Sequence, residues 1–342
     1  MSFTFIDLFA GIGGLRLAFE SVGGKCIFTS EFDEHCVATY KANFEGEVFG
    51  DITTINEKDI PNHDVLIAGF PCQAFSISGK MRGFQDTRGT LFFDIMRIVN
   101  EKNPKLIILE NVKHLLHHDK KRTLSTILEL LEEHGYFVNF KILNAKDFEL
   151  AQNRERIVIV ASKTKEFDFD RLETSTKFIS IRDILDDENN FEYLNKDEYT
   201  ILSKEQWKTQ ASGLIFCGYR NKKIREIGVR PNTEHLSRVH KQPNRIYHVD
   251  GTHPTIPSQE PSGRFWIYDN NNVRKLTLNE CWKLMGFPSS FKKVGSPQQQ
   301  YKQIGNSVAV PMFKSIAKEV VSQYFDNNSY KPKSQKQLKL LN

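Results

Sequence analysis

The chain has 342 residues, of which 39% are hydrophobic, 26% charged and 11% aromatic, a balance that excludes collagen-like and wholly disordered classes. At roughly 150 residues per domain this length suggests about two domains, long enough to bury a core without disulfide or metal staples. The net charge of +5 is mild, so a surface for a polyanion has to be local rather than spread over the molecule.

The mean hydropathy is −0.45, and apolar stretches such as Val65–Phe70 are too short to span a bilayer. Asp7 and three glycines interrupt the apolar N-terminus, unlike a signal peptide. No membrane association and a cytoplasmic location are expected. The five cysteines at 26, 36, 72, 217 and 281 form no C-x-x-C pair. They point to a reducing compartment rather than a disulfide framework or zinc site, and no metal is expected.

Along the first 160 residues, strand and helix patterns alternate. Strands are expected at Phe3–Phe9, Lys25–Ser30, Val65–Phe70, Leu106–Glu110, Val138–Asn144 and Arg156–Ala161. Helices are expected at Leu15–Val22, His35–Asn43, Leu91–Asn100 and Thr123–His134. This alternation predicts an α/β fold with a parallel sheet covered on both faces. The unalternating runs Val65–Ala68 and Leu106–Leu109 suit strands buried on both sides. After Lys163 the pattern changes. Residues 185–200 are acidic and Asn-rich and read as a linker. Residues to about 270 read as a loop-rich second domain. Helical spacing returns over 274–292, and Val308–Tyr324 reads as a closing helix. The Lys-rich residues 326–342 read as a mobile tail.

Five motifs carry chemistry. In Asp7-Leu8-Phe9-Ala10-Gly11-Ile12-Gly13-Gly14, glycines after a first strand let the backbone approach a ligand at the next helix. A dinucleotide fingerprint would place a third glycine at position 16, where Arg16 stands, which disfavours a nicotinamide cofactor. Glu31 ends the second strand, where a carboxylate can accept both hydroxyls of a ribose. Phe32 beside it can stack on adenine, and Asp51, near the end of a third candidate strand, can meet an exocyclic amine. Each acid alone would more often be a strand-end cap, but three strand ends in order favour a nucleoside-like ligand.

Next comes Gly69-Phe70-Pro71-Cys72-Gln73-Ala74-Phe75-Ser76-Ile77-Ser78. A buried strand running into Pro-Cys sets a thiol at the carboxyl edge of the sheet, where ligands bind in open α/β folds. A lone cysteine is usually a small core residue, but the polar Gln-x-x-Ser loop that follows favours a nucleophile. Glu110-Asn111-Val112 places another carboxylate at a strand end. Gln152-x-Arg154-x-Arg156 directs two guanidiniums to one face, which need an acceptor between them. Gly305-Asn306-Ser307-Val308 opens the last helix. Separately, Gly218–Arg245 holds eight Lys/Arg against two acids, a density that suits a polyanionic partner or a solvated surface.

With FAGIGG, GFPCQAFSISG, ENV, QNRER, RKLT…ECWKLMGFP and YKQIGNSVAVP in this order, the chain resembles the C5-specific DNA cytosine methyltransferases over residues 3–171 and 273–321. The segment around 69–99 is most similar to the bacterial restriction-modification type. The resemblance implies an S-adenosylmethionine-dependent methyltransferase fold, a Rossmann-like, mostly parallel sheet with helices on both faces, plus a smaller loop-rich target-recognition domain. The catalytic and cofactor-binding part would comprise 1–180 and 300–325. Target recognition with its hinge would occupy 185–296.

Site roles follow from the same resemblance. Phe9, Gly11, Ile12, Gly13, Glu31, Phe32, Asp51, Ile52, Pro71, Leu91, Asn306 and Val308 would line the S-adenosyl-L-methionine site. Cys72 would be the nucleophile, Glu110 would hold N3 and the amino edge of cytosine, and Arg154 and Arg156 would orient the cytosine and its O2. Gln73 and Ser76 would support the catalytic loop and Ser78 would approach the space left by the flipped base, all three at the DNA, with Arg220, Arg225, Arg230, Asn232, Arg238, Arg245 and Thr255 as target-region candidates. The expected partner is double-stranded DNA, bound by a monomer. A cognate restriction endonuclease would act on the same site and need not bind the protein. Competing readings are a tRNA cytosine methyltransferase, a catalytically silent DNA-binding module and, disfavoured by Arg16, an oxidoreductase.

Overall fold

The computed structural model describes residues 2–71, 91–187, 191–222, 232–258 and 265–326. Its first sheet contains β1 (Phe3–Leu8), β2 (Gly24–Ser30), β3 (Val65–Gly69), β4 (Leu106–Val112), β5 (Phe137–Asn144) and β7 (Glu155–Ser162), in the order β2-β1-β3-β4-β7-β5. A two-residue strand, β6 (Gln152–Asn153), lies between β5 and β7 in the chain.

Neighbouring side chains on these strands take opposite faces. Phe3, Phe5, Val65, Ile67, Leu106, Ile108, Val158 and Val160 join one core, which includes Leu15 and Phe19 of α1 (Gly14–Glu20) and Met312, Phe313 and Ile316 of α7 (Val310–Tyr324). Ile6, Leu8, Leu66, Ala68, Ile107, Leu109, Ile157 and Ile159 join the other. That second core is completed by Phe92, Ile95, Met96 and Val99 of α3 (Leu91–Lys102) and Leu124, Ile127 and Leu131 of α4 (Arg122–Glu133). The apolar positions recur every three to four residues, so each helix turns one stripe to the sheet. α2 (Glu34–Asn43) starts where the Asp33 carboxylate accepts from the backbone N–H groups of His35 and Cys36.

The sheet is mostly parallel, as the resemblance implies, with β7 antiparallel to both β4 and β5. The chain reaches β7 from β5 through residues 145–154 rather than through an α-helical crossover, which reverses its direction. One expectation is corrected: no third strand precedes Asp51. Phe49 makes only a single bridge to Ser30, and the Asp51 carboxylate heads a short 3-10 turn at Ile52–Thr54.

The region expected to be loop-rich builds a second sheet from β8 (Tyr199–Ile201), β9 (Lys208–Thr209), β10 (Ile215–Arg220), β11 (Arg245–His248), β13 (Trp266–Asp269) and β14 (Asn272–Lys275). Its strands are only two to six residues long, too short to leave much local pattern. The last of the strands, β12 (His253–Pro254), pairs instead with β6 in parallel. The acidic 185–200 stretch is not a free linker. Asp186 accepts from Thr277 Oγ1 and Asn279 Nδ2 and pairs with Lys283, while Leu194 N–H donates to the Val273 carbonyl.

The expected helical stretch at 274–292 shortens to α5 (Leu278–Lys283), capped by Thr277 and Glu280. A helix not expected from the sequence, α6 (Pro297–Asn306), follows it. Among the described residues no helix is long and apolar enough to cross a membrane. The expected mobile tail beyond Asp326 lies outside the described residues.

Candidate active site and cofactor cleft

β1 delivers the chain into a turn in which Phe9, Gly11 and Gly13 all have positive φ (54°, 56° and 88°). Gly13 has to be glycine, because a Cβ there would stand 2.2 Å from the Phe44 ring. Gly11 opens the other way. A Cβ on it would meet nothing within 4 Å, so its backbone borders a cradle. The Gly11 N–H donates to Glu31 Oε2 (2.7 Å) and the Asp33 N–H to Oε1 (2.8 Å). Glu31 lies at the end of β2 and is nearly buried. Burial pushes its carboxyl up, and these backbone donors pull it back. Each oxygen keeps lone-pair capacity for a further donor.

Around the cradle, the Phe32 ring is 70% exposed, an open face for stacking. Asp51 is exposed and accepts from Thr53 N–H. Asn306 is exposed at the end of α6, and Val308 packs so closely on Gly14 that a Cβ there would lie 2.8 Å from it. Pro71 is exposed and Leu91 half-buried at the start of α3. The side chains of Ile12 and Ile52, also in the expected set, are buried in the cores. Beneath the turn, Asp7 is fully buried with no partner for either oxygen among the described residues. Burial drives its carboxyl well above the usual range, against the pull of Arg16.

At the carboxyl ends of β3 and β4, Gly69 pairs with Glu110. A Cβ on Gly69 would lie 3.4 Å from Glu110 Oε2, so glycine keeps space beside the carboxyl. Arg156 Nε meets Glu110 Oε1 at 2.9 Å, with about a tenth of each side chain exposed. Burial pushes the Glu110 carboxyl up, while Arg156 and then Arg154 draw it down. Burial also lowers Arg156, offset by Glu110. Asn111, not singled out from the sequence, is buried and donates from Nδ2 to the Phe70 carbonyl at 2.9 Å. It thereby holds the strand exit that leads to Pro71 and Cys72. Cys72, Gln73, Ser76 and Ser78 lie outside the described residues.

Arg154 is expected to orient the cytosine. Its guanidinium is buried and donates to the carbonyls of Ile256 (3.1 Å), Gly305 (2.9 Å) and Ser307 (2.6 Å). Those bonds make it a brace between two loops, with its Nε buried and unpartnered among the described residues. Gly305 meets the same segment, since a Cβ there would stand 2.2 Å from the Pro257 carbonyl oxygen. Gln152, also unassigned from the sequence, is fully buried. It donates to the Leu284 carbonyl and accepts from Ile256 N–H.

The family model for C-5 cytosine-specific DNA methylase matches residues 3–322. The chain belongs to that family. It is a DNA cytosine-5 methyltransferase by family. It is 42% identical to the type II methyltransferase M.DsaV of Dactylococcopsis salina, over 94% of this chain and 86% of that one. To the type II methyltransferase M.HhaI of Haemophilus parahaemolyticus it is 39% identical, over 93% and 94%. Among solved structures, the Entamoeba histolytica methyltransferase EhMeth matches in fold with a TM-score of 0.67 at 20% identity, over 94% of this chain and 98% of that one.

For a DNA methylase, the target-region arginines divide unexpectedly. Arg220 stacks over the Trp266 ring at 4.7 Å, with its Nε buried and unpartnered among the described residues. Arg245 donates to the His240 carbonyl and to Gln242 Oε1. Both make these contacts within the second sheet and are half-buried. Arg238 and Asn232 are exposed. Thr255 Oγ1 donates to the Asn153 carbonyl at 2.7 Å. Arg225 and Arg230 lie outside the described residues.

Proposed function

We propose that this protein methylates C5 of a cytosine flipped out of a short, specific sequence in double-stranded DNA, using S-adenosyl-L-methionine and a covalent bond between Cys72 and C6. The observation that carries the reading is the buried Glu110–Arg156 pair, set beside Gly69 on the strand that runs into Pro71 and Cys72. The open cradle at Gly11, the Glu31 carboxylate and the exposed Phe32 ring fit the cofactor's ribose and adenine. Gly13, Asp51, Pro71, Leu91, Asn306 and Val308 complete its proposed surroundings.

When bound, the cofactor supplies an electrophilic methyl group. Cytosine C5 is too weak a nucleophile to take it unaided. Addition of the Cys72 thiolate to C6 turns the ring into an enamine with electron density at C5. Charge develops on N3 and O2 during that addition. Glu110, its carboxyl raised by burial, donates a proton toward N3, and Arg156 stabilises O2. C5 then takes the methyl group, a water molecule takes the C5 proton, and β-elimination breaks the C6–S bond to free Cys72. A base stacked in a duplex hides C6, so the substrate is extruded first.

The domain assignment is likewise proposed: 1–180 with 300–325 for catalysis, and 185–296 for target recognition. Kinship with type II methyltransferases supports a role in protecting DNA from a cognate restriction endonuclease. We propose a monomer in the cytoplasm.

The test is to incubate the protein with cofactor and unmethylated duplex DNA and map protected cytosines by bisulfite sequencing. Protection within one recurring motif is expected, and Cys72→Ser should abolish it. Full methylation by Cys72→Ser would overturn the covalent mechanism. Cofactor binding without DNA methylation would redirect the search to tRNA.

A further inference from the structure

Between β4 and α4 lies a loop that none of these roles uses. It begins three residues after Glu110, and α4 runs back from its far end, so the loop sits at the carboxyl edge of the sheet with the site. From Lys113 to Arg122 the sequence carries four Lys/Arg, three histidines and one acid, Asp119. That is a higher density of positive charge than in the chain as a whole.

Three anchors hold the loop. Leu115 is buried in the core, Lys113 Nζ pairs with Glu155 at 2.8 Å, and His118 Nδ1 bonds Thr123 Oγ1 at 2.7 Å. Glu155 immediately precedes Arg156, so one anchor ties the loop to the strand of the catalytic pair. Lys120 and Lys121 are exposed, and among the described residues no hydrogen bond or ion pair engages either side chain. Asp119, Lys120 and Lys121 have φ values of 47°, 56° and 74°. Left-handed backbone costs roughly 1–2 kcal/mol for a residue with a Cβ, and glycine or asparagine fills it with less strain. Lysine gains nothing locally at such positions. What it adds is a pair of exposed cations at the carboxyl edge of the sheet.

We propose that the Lys113–Arg122 loop is a second DNA-backbone grip, outside the target-recognition region, in which Lys120 and Lys121 bind phosphates of the duplex lying over this edge. The proposal rests on the duplex-DNA reading above. Such contacts carry charge but no base readout, so they set affinity and salt dependence without setting sequence.

The experiment uses the full chain and a short unmethylated duplex carrying the mapped motif, with Kd measured between about 50 and 200 mM salt. In the double variant Lys120→Gln, Lys121→Gln, the slope of log affinity against log salt should become shallower by about 0.9 for each phosphate no longer neutralised. Low-salt affinity should fall on the order of tenfold or more, and the methylated motif should stay the same. Lys120→Arg, Lys121→Arg should keep the original slope. An unchanged slope in the glutamine variant overturns the proposal, as does an arginine variant as impaired as the glutamine one. An unaltered protein that binds no duplex overturns the parent reading together with this one. An active protein with an unchanged variant overturns this one alone.

Discussion

Glu110 and Arg156 are both driven toward their neutral forms by burial, and each opposes that drive in the other. The balance leaves Glu110 with a raised pKa, suited to an acid that must hold its proton until charge arrives on N3. In the proposed mechanism the protonated form is the working one, so kcat/KM should fall as pH rises through that elevated pKa. Glu110→Gln keeps a hydrogen-bond donor but has no proton to transfer. Its rate should drop by about 10²–10⁴, and the descending limb attributable to Glu110 should vanish. Steady-state rates across pH in both proteins check this, and a variant retaining that limb would show that another group produces it. The importance of Glu110 was legible as a carboxylate closing an apolar strand. Asn111 and Gln152 were not legible, because an amide's role depends on which distant carbonyl it reaches.

β6 and β12 show how two short strands can fasten distant segments. Within that pairing His253 is fully buried, its Nδ1 against the Pro254 carbonyl and its Nε2 without a partner among the described residues. Burial lowers its pKa from 6.5 to about 4. The folded state therefore binds this proton less readily than the unfolded chain does. Stability from this group is fully present above about 6.5 and is lost as pH falls toward 4, by roughly 3 kcal/mol at most. His253→Gln should flatten the acid limb of the melting temperature over that range. Parallel Tm–pH curves for the two proteins would refute the assignment. Helix α6 belongs to this scale too. Ser296, Pro297 and Gln299 form a capping box with proline in the first turn, a start signal present in the sequence. It was obscured because the polar body of the helix shows only a few buried positions.

Across the molecule, Arg154 joins what the chain separates. Its three acceptors lie at 256, 305 and 307, on segments flanking Thr255 on one side and Asn306 on the other. One buried guanidinium thus ties the segment that carries Thr255 to the one that carries Asn306. Lys in its place keeps the charge but lacks the planar fork that reaches two directions at once. Arg154→Lys should cost on the order of 3 kcal/mol, the scale for breaking a buried charged network. Tm would fall by several degrees. A melting temperature within a degree of the parent would show that the brace is dispensable.

The α/β core, its glycine turn and the carboxylates that end β2 and β4 were determined by sequence alone, because periodicity and glycine placement are local properties of the chain. The reversal of β7, the sheet hidden in the loop-rich region, the carbonyls that Arg154 reaches and the ring under Arg220 were decided only by tertiary structure. A motif states which side chain is present. Which carbonyl, ring or carboxylate lies within 3–5 Å of it depends on segments far away in the chain, a hundred or more residues in the case of Arg154.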